Sequence, residues 1–386
     1  MHEKNKGKLE VSSKVKIESS HDLTLAYTPG VAEVCKEIAS DKRNVYRYTM
    51  KANSVAVVSD GSAVLGLGNI GPEAALPVME GKAILFKEFA DIDAFPLCLA
   101  TQDAEEIVRI VKNIAPVFGG INLEDIAAPR CFLIEEQLQG IGIPVFHDDQ
   151  HGTAIVVLAA LINAAKVAGK QLEDLRVVIS GAGAAGTATT RLLLCLGIDR
   201  NICTSVREII ECDSKGIIYQ GRPDLNKYKE ETARFTNREQ RKGTLADALQ
   251  GADAVIGVSR ANVLSREMVA TMNDKAIVLA MANPVPEIMP DDALAAGAYI
   301  VGTGRSDYPN QINNVLAFPG VFRGALDARA VRISSEMKLA AAYALANCVN
   351  SPSKEHIIPN ALDKAVVKSV SEAVRKAAIE TGVTRN

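Results

Sequence analysis

The sequence predicts an α/β chain of two domains, each built on a mostly parallel sheet. Three observations predict it. Short β-branched runs alternate with helical spacings along most of the chain, the pattern that βαβ units leave. Two segments, Gly66-Leu67-Gly68-Asn69-Ile70-Gly71 and Gly181-Ala182-Gly183-Ala184-Ala185-Gly186, carry G-x-G-x-x-G between a strand and a helix. The length of 386 residues exceeds what one ordinary core holds.

Composition narrows the function. A formal net charge of -3 offers no basic surface, and the absence of Trp removes stacking platforms, so nucleic acid is not an expected partner. Met1–Glu10 is polar and is no signal peptide. No run of about 18 uncharged apolar residues occurs, so no membrane span is expected. The seven cysteines include no C-x-x-C pair and read as reduced, mostly buried thiols of a cytoplasmic protein.

Taken in order, Met1–Ser20 reads as a loose charged arm. Leu25–Gly30 is a turn and Val31–Ser40 a helix. Ser54–Val58 is a strand that runs into the first glycine segment. Pro72 suits a first helical residue, and Glu73–Phe89 is helical with a break near Gly81. Asp93–Leu99 is a strand, Ala104–Ala115 a helix and Val117–Ile121 a short strand. Pro144–Phe146 is a strand, His147–Thr153 a polar knot and Ala154–Ala168 a buried helix. Further strands are Arg176–Ser180, Glu208–Cys212, Ala254–Val258, Ala276–Met281 and Tyr299–Gly302, with a helix at Thr187–Leu196. Thr303–Pro319 is loop-like. Val331–Asn347 and Ala361–Thr381 are amphipathic helices that pack on the first domain or on a partner subunit. The expected units are a substrate and metal domain over 1–151, a Rossmann-like dinucleotide domain over 152–310, and completing helices over 311–386.

The second glycine segment has the full context of a dinucleotide fingerprint. Gly181, Gly183 and Gly186 allow a tight turn and close approach to a pyrophosphate, with Ala184 and Ala185 at the positive helix end. Asp213 closes the next strand and can accept from a ribose 2′-OH, which favours NAD. Lys215 could attract a 2′-phosphate, which admits NADP. No acid closes the strand after Gly66, Gly68 and Gly71, so that segment reads as a turn lining the substrate cleft.

Glu124 and Asp125 follow one strand, and Asp148 and Asp149 another. Carboxylates meeting at strand tips repel unless a cation sits among them, and all-oxygen ligation suits Mg²⁺ or Mn²⁺. Solvated surface acids are the bland alternative. His147 and His151 stand i, i+4, a zinc spacing, but structural histidines are favoured. Lys82, after Glu80-Gly81, reads as starting a helix segment, where the helix dipole and burial lower an ammonium's pKa toward that of a general base. Tyr27 sits on a Thr-Pro-Gly turn. Asn283 precedes Pro284, and Asn314 lies in the polar loop. On local evidence a surface lysine, a packing tyrosine and turn-forming asparagines are the plainer readings.

These segments together resemble the malic enzymes of the short-subunit bacterial type. The resemblance runs from about Asp22 to Ala330. It is carried by Leu25–Val31, Ser59–Gly71, Val78–Ala83, Phe118–Asp125, Val145–Ala154, Gly181–Gly186, Met281–Ile288 and Thr303–Asn314 into Phe318-Pro319-Gly320. It implies oxidative decarboxylation of L-malate to pyruvate and CO₂ with NAD(P)⁺ and Mg²⁺ or Mn²⁺. It implies Tyr27 as general acid, Lys82 as general base, and Glu124, Asp125 and Asp149 as metal ligands. Asp148 joins the proton network, and Asn283 and Asn314 hold malate and nicotinamide. Two departures stand out. Ala63 replaces an Arg of longer members, and Asp199–Val206 lengthens the path to Asp213. The acetyltransferase-like C-terminal domain of some bacterial relatives has no counterpart in these residues. A homodimer is expected, with Tyr27 reaching a neighbour's cleft. The rival readings are a metal-independent 2-hydroxy or 2-amino acid dehydrogenase and a nucleotide-sensing protein with a dead site.

Overall fold

The computed structural model describes residues 2–64 and 66–385. Met1 in the expected arm, Leu65 in the first glycine segment and Asn386 at the end of the last expected unit lie outside them. After one helical turn at His2–Asn5, the chain forms two short helices, α1 (Ser20–Ala26) and α2 (Val31–Ser40), neither of which buries a residue. Four parallel strands follow: β1 (Ser54–Ser59), β2 (Asp93–Cys98), β3 (Gly120–Leu123) and β4 (Val145–His147), in the order β2-β1-β3-β4. Helices α3 (Gly71–Ala90), α4 (Ala104–Ile114) and α5 (Arg130–Leu138) connect them. Strand β1 alternates its faces. Val55 and Val57 enter a core with Phe86 and Phe146, while Ala56 and Val58 enter another with Ile107 and Leu123. Burial on both faces is what a parallel sheet requires.

Helix α6 (Asp148–Ala168) leads to the second sheet and stops at Gly169, whose φ of 69° suits glycine. By length and composition α6 could cross a membrane, but most of it is buried inside the fold. The second sheet comprises β5 (Arg176–Ser180), β6 (Glu208–Asp213), β7 (Gly216–Ile217), β8 (Ala254–Gly257), β9 (Ile277–Ala280) and β10 (Ile300–Thr303). Helix α7 (Ala184–Leu193) follows β5, and α8 (Lys227–Ala233) follows β7. The order is β10-β9-β8-β5-β6-β7, parallel except for β7. Chain order reverses between β5 and β8, and in the first sheet between β1 and β3. Ligand crevices of open α/β sheets form at such reversals. Last come α9 (Phe318–Asp327), α10 (Ser335–Asn347) and α11 (Lys364–Glu380). Phe318 and Phe322 of α9 meet Phe86 of α3 at 4.8 and 5.2 Å, fastening the end of the chain to the first sheet.

Several expectations need correction. The break at Gly81 does not occur, and α3 runs through both Pro77 and Gly81. Ala75, Met79, Ala83 and Phe86 keep one face buried at helical spacing, and this burial outweighs the poor propensities. The arm is not loose throughout. Lys8 donates through its backbone to Glu80 at 3.1 Å and through Nζ to the Pro77 carbonyl at 2.8 Å. Strand β3 starts later than expected, because its pairing with β1 begins at Val55↔Gly120. The polar knot is the first turn of α6, since Asp148 and Asp149 suit a helix N-terminus. Strand β7 was not foreseen. Cys195 and Cys203 form a disulfide across the loop after α7, so not all seven thiols are free. That loop contains the lengthened Asp199–Val206 segment, whose Thr204 N–H donates to the Tyr343 hydroxyl.

Candidate active site

Both tips of β3 and β4 point into the first crevice. Carboxylate oxygens of Glu124, Asp125 and Asp149 lie within 4.8 Å of one another. The Asp125 N–H donates to Asp149 Oδ2 at 2.8 Å, and Asn122 donates to Glu124 Oε2 at 2.8 Å. Asp148 is fully buried beside them. Burial raises Asp125 to about 8, with Asp149 adding and Lys82 opposing. Burial raises Asp148 to about 6, Lys82 again opposing. Glu124 is pushed well above the usual carboxylate range by burial, against Lys82 and reinforced by Asp149, Asp148 and Asp125. Asp125 Oδ2 and Asp148 Oδ1 are buried without a hydrogen-bond partner among the described residues. Four acids so placed cost several kcal/mol each as ions unless a cation compensates them. The oxygen-only donors Glu124, Asp125 and Asp149 fit a hard divalent cation such as Mg²⁺ or Mn²⁺.

Lys82 lies in the middle of α3, not at a helix start. Its Nζ stands 2.6 Å from Asp148 Oδ2, 2.8 Å from Glu124 Oε1 and 4.2 Å from the centre of the Phe318 ring. The expected lowering of its pKa is therefore reversed. Burial pulls the ammonium down, but Asp148 and Glu124 outweigh it. The helix dipole cannot act there, because it fades within the first turn.

His147 Nδ1 lies 2.8 Å from the Gln150 amide, and its Nε2 lies 3.1 Å from Asp149 Oδ2, out of line for a hydrogen bond. His151 points elsewhere, to Glu135 at 2.7 Å, so the two histidines do not converge on one ion.

In the second sheet each fingerprint glycine has its own reason. A Cβ on Gly181 would stand 2.5 Å from the Val258 carbonyl, and one on Gly186 would strike the Gly181 carbonyl. A Cβ on Gly183 would meet nothing within 4 Å. Gly183 caps α7, whose first turn contains Ala184, Ala185 and Gly186. Asp213 is heavily engaged. It accepts from Lys229 Nζ at 2.6 Å, from the Lys215 N–H at 2.9 Å, and from Arg222. Burial opposes its ionisation, but Arg222 and Lys229 hold its pKa at about 2. Glu211 stands beneath the loop with both oxygens buried and unpartnered among the described residues. Burial raises it to about 8, Lys229 opposing and Asp213 adding.

Asn314 is brought to the first crevice. Its Cβ would lie 3.3 Å from a Cβ on Gly152, one turn beyond Asp148. Asn283 is exposed, with its carbonyl against Gly66 and its amide against Gly304, so it bridges the two sheets. The Gly66–Gly71 segment folds back on Gly61, whose carbonyl accepts from Ile70 and Gly71. Tyr27 is 65% exposed on the turn between α1 and α2 and is not among the partners of Lys82. Three neighbours escaped the sequence reading: Phe318, His147 as the companion of Asp149, and the pair Arg130–Asp60 at 2.8 Å at the tip of β1. The Asp-Gly pair Asp60-Gly61 was the only local signal for the last.

Two family models cover this architecture. That for the malic enzyme N-terminal domain matches residues 6–139, and that for the malic enzyme NAD binding domain matches residues 150–380. The chain belongs to the malic enzyme family. Among malic enzymes it is 58% identical to the bifunctional malic/malolactic enzyme of Bacillus subtilis (strain 168), over 100% of this chain and 93% of that protein. It is 56% identical to the NAD-dependent malic enzyme of Geobacillus stearothermophilus, over 98% of this chain and 78% of that one. The crystal structure of the NAD-dependent malic enzyme of Thermotoga maritima superposes with a TM-score of 0.92 at 51% identity, over 97% of each chain.

Proposed function

We propose that this malic enzyme oxidatively decarboxylates L-malate to pyruvate and CO₂, with a divalent cation and with NAD preferred over NADP. One observation carries the reading: a buried lysine ammonium bridges Asp148 and Glu124, and Glu124 converges with Asp125 and Asp149. Mg²⁺ or Mn²⁺ held by Glu124, Asp125 and Asp149 supplies Lewis acidity, and a bound nicotinamide accepts the hydride.

The residues of the chain divide the remaining work. Lys82, after passing its own proton to Asp148, takes the proton of the substrate C2 hydroxyl. Asn314, over the first turn of α6, and Asn283, between the sheets, orient malate and nicotinamide. Arg130 provides a cation for a malate carboxylate in place of the Arg absent at Ala63. Gly181–Gly186 receives the pyrophosphate, and Asp213 the ribose. Tyr27 returns a proton to C3 after CO₂ leaves. Its exposure in one chain, with that of Leu23 and Leu25 beside it, supports a homodimer in which it enters the partner's crevice. The units 1–151, 152–310 and 311–386 remain the working division.

The test is malate-dependent reduction of NAD⁺ and NADP⁺ with and without Mn²⁺. Pyruvate formation that needs Mn²⁺ and proceeds with higher kcat/KM for NAD⁺ supports the reading. Activity that survives EDTA supports a metal-independent dehydrogenase instead.

A further inference from the structure

A second, half-open space lies on another face of α6. It is a cavity of ≈ 420 Å³ between α5, α7, α8 and the start of α10, within the range of small-molecule sites. Gln150, His151 and Ala154 line it, whereas Asp148 and Gly152 face Lys82 and Asn314. At about 100° per residue these two sets lie on different sides of the helix.

The polar lining is incomplete. Lys338 Nζ reaches only His151, at 3.2 Å, among the described residues. An ammonium has three N–H donors, so contact with one imidazole leaves donor capacity unused by the described residues. Arg191 also lines the space, and of its donors one is used, on Glu231 at 2.6 Å. Burial lowers the Lys338 pKa, Glu135 raises it, and Arg191 lowers it again, so two cations lie close enough to disfavour each other. The acids are otherwise engaged: Glu231 by Arg191, and Glu135 by His151 and Gln150. Glu136 is exposed. The paired rings of Phe132 and Tyr228, 4.5 Å apart, and the side chains of Leu192 and Ile198 give the space an apolar wall.

The same residues connect to the first crevice. His151 Nε2 lies 2.7 Å from Glu135 Oε1, and Gln150 donates to Glu135 Oε2 at 2.9 Å. Gln150 also lies 2.8 Å from His147, which faces Asp149. We propose that this cavity is an effector site for a small organic carboxylate with an apolar body. Its carboxylate pairs with Lys338 and Arg191, and its binding changes cation affinity at Asp149 through Glu135, Gln150 and His147. The binding claim stands apart from the proposed activity, and only the coupling rests on the reading of Asp149 as a ligand.

Calorimetric titration with benzoate, and with benzamide as its neutral isostere, tests the binding. Benzoate should bind saturably and at least tenfold more tightly than benzamide. Lys338→Met should weaken benzoate at least tenfold. Arg191→Leu, a change at a half-exposed position, should weaken it severalfold. Lys82→Met should leave it unchanged, and malate should not displace it. No saturable binding, equal binding of the two probes, normal affinity in both cavity variants, or displacement by malate would each overturn the site. Coupling is read from Mn²⁺ affinity, by calorimetry without turnover. Benzoate should shift it at least twofold in the wild type, and Gln150→Leu should abolish the shift while benzoate still binds. Benzoate binding with no change in Mn²⁺ affinity overturns the coupling. Failure of Mn²⁺ to bind at all overturns the metal assignment and leaves the cavity claim to the first titration.

Discussion

Lys82 Nζ and Asp148 Oδ2 lie 2.6 Å apart across 66 residues of sequence. Such a pair is close enough to pass a proton directly, and the proposed base role of Lys82 requires that transfer, because Asp148 and Glu124 otherwise hold the ammonium charged. Lys82→Ala should lower kcat by about 10²–10⁴, the range for losing an acid–base group. It also leaves two buried carboxylates without their cation, so the metal-free variant should lose roughly 3–5 kcal/mol of stability. Steady-state kinetics and a denaturant titration check the two effects separately.

The position of Tyr27 makes a prediction about subunit mixing. Tyr27→Phe and Lys82→Ala homodimers should each be nearly inactive. If each crevice takes its tyrosine from the partner, subunits mixed and reassembled one to one should recover about a quarter of wild-type activity. Recovery arises only when two intact groups from different chains meet in one crevice. An active monomer in light scattering would defeat the arrangement.

Asp125, proposed above as a metal ligand, has a buried Oδ2 with no hydrogen-bond partner among the described residues. Mn²⁺ at about 100 times its Kd should stabilise the wild type by roughly 2.7 kcal/mol. Asp125→Asn should lose most of that gain while folding normally without metal. Thermal unfolding with and without Mn²⁺ gives the answer, independent of turnover.

The two glycine segments should separate cleanly. A side chain at Gly183 enters open space, so Gly183→Val should fold and raise KM for NAD⁺ by tenfold or more. Gly68 has a φ of 77°, and the proposed function places no dinucleotide there. Gly68→Val should cost stability, on the order of 1–2 kcal/mol for forcing that backbone, and should spare KM for NAD⁺. The opposite pattern would exchange the roles of the two sheets.

Glu211 gives a pH dependence free of the metal site. Its folded pKa is raised from 4.5 to about 8. The folded state therefore keeps a proton that the unfolded state releases, and stability falls as pH rises from about 4.5 through 8, by about 1.4 kcal/mol per pH unit. Glu211→Gln lacks this loss. Its melting temperature should exceed the wild-type value by a margin that grows from pH 5 to pH 8.5. A constant margin would mean that the carboxyl ionises normally.

Much of the candidate site's placement is legible in the sequence because its signals are local. Glu124-Asp125 and Asp148-Asp149 are adjacent pairs at strand tips, and strand tips can be found from β-branched runs. Gly181, Gly183 and Gly186 lie within six residues, between a strand and a helix. What escaped is what the chain brings together from afar. The charge state of Lys82 depends on Asp148 and Glu124, and its place in α3 depends on burial that overrides Pro77 and Gly81. Asp213 ends its strand as expected, but Arg222 and Lys229 reach it from later segments. The Cys195–Cys203 disulfide depends on a loop whose course has no periodicity to announce it.

Helix α6 begins with Asp148 and Asp149 at the first crevice and ends at Gly169, just ahead of the second sheet. It is one unbroken rod of 21 residues. The helix shows no break along its length at which to bend. If the crevice opens, an unbent α6 moves as one piece, and the bending is left to the other connection between the sheets, residues 304–313. Stiffening that loop should slow product escape and leave the carboxylate cluster undisturbed.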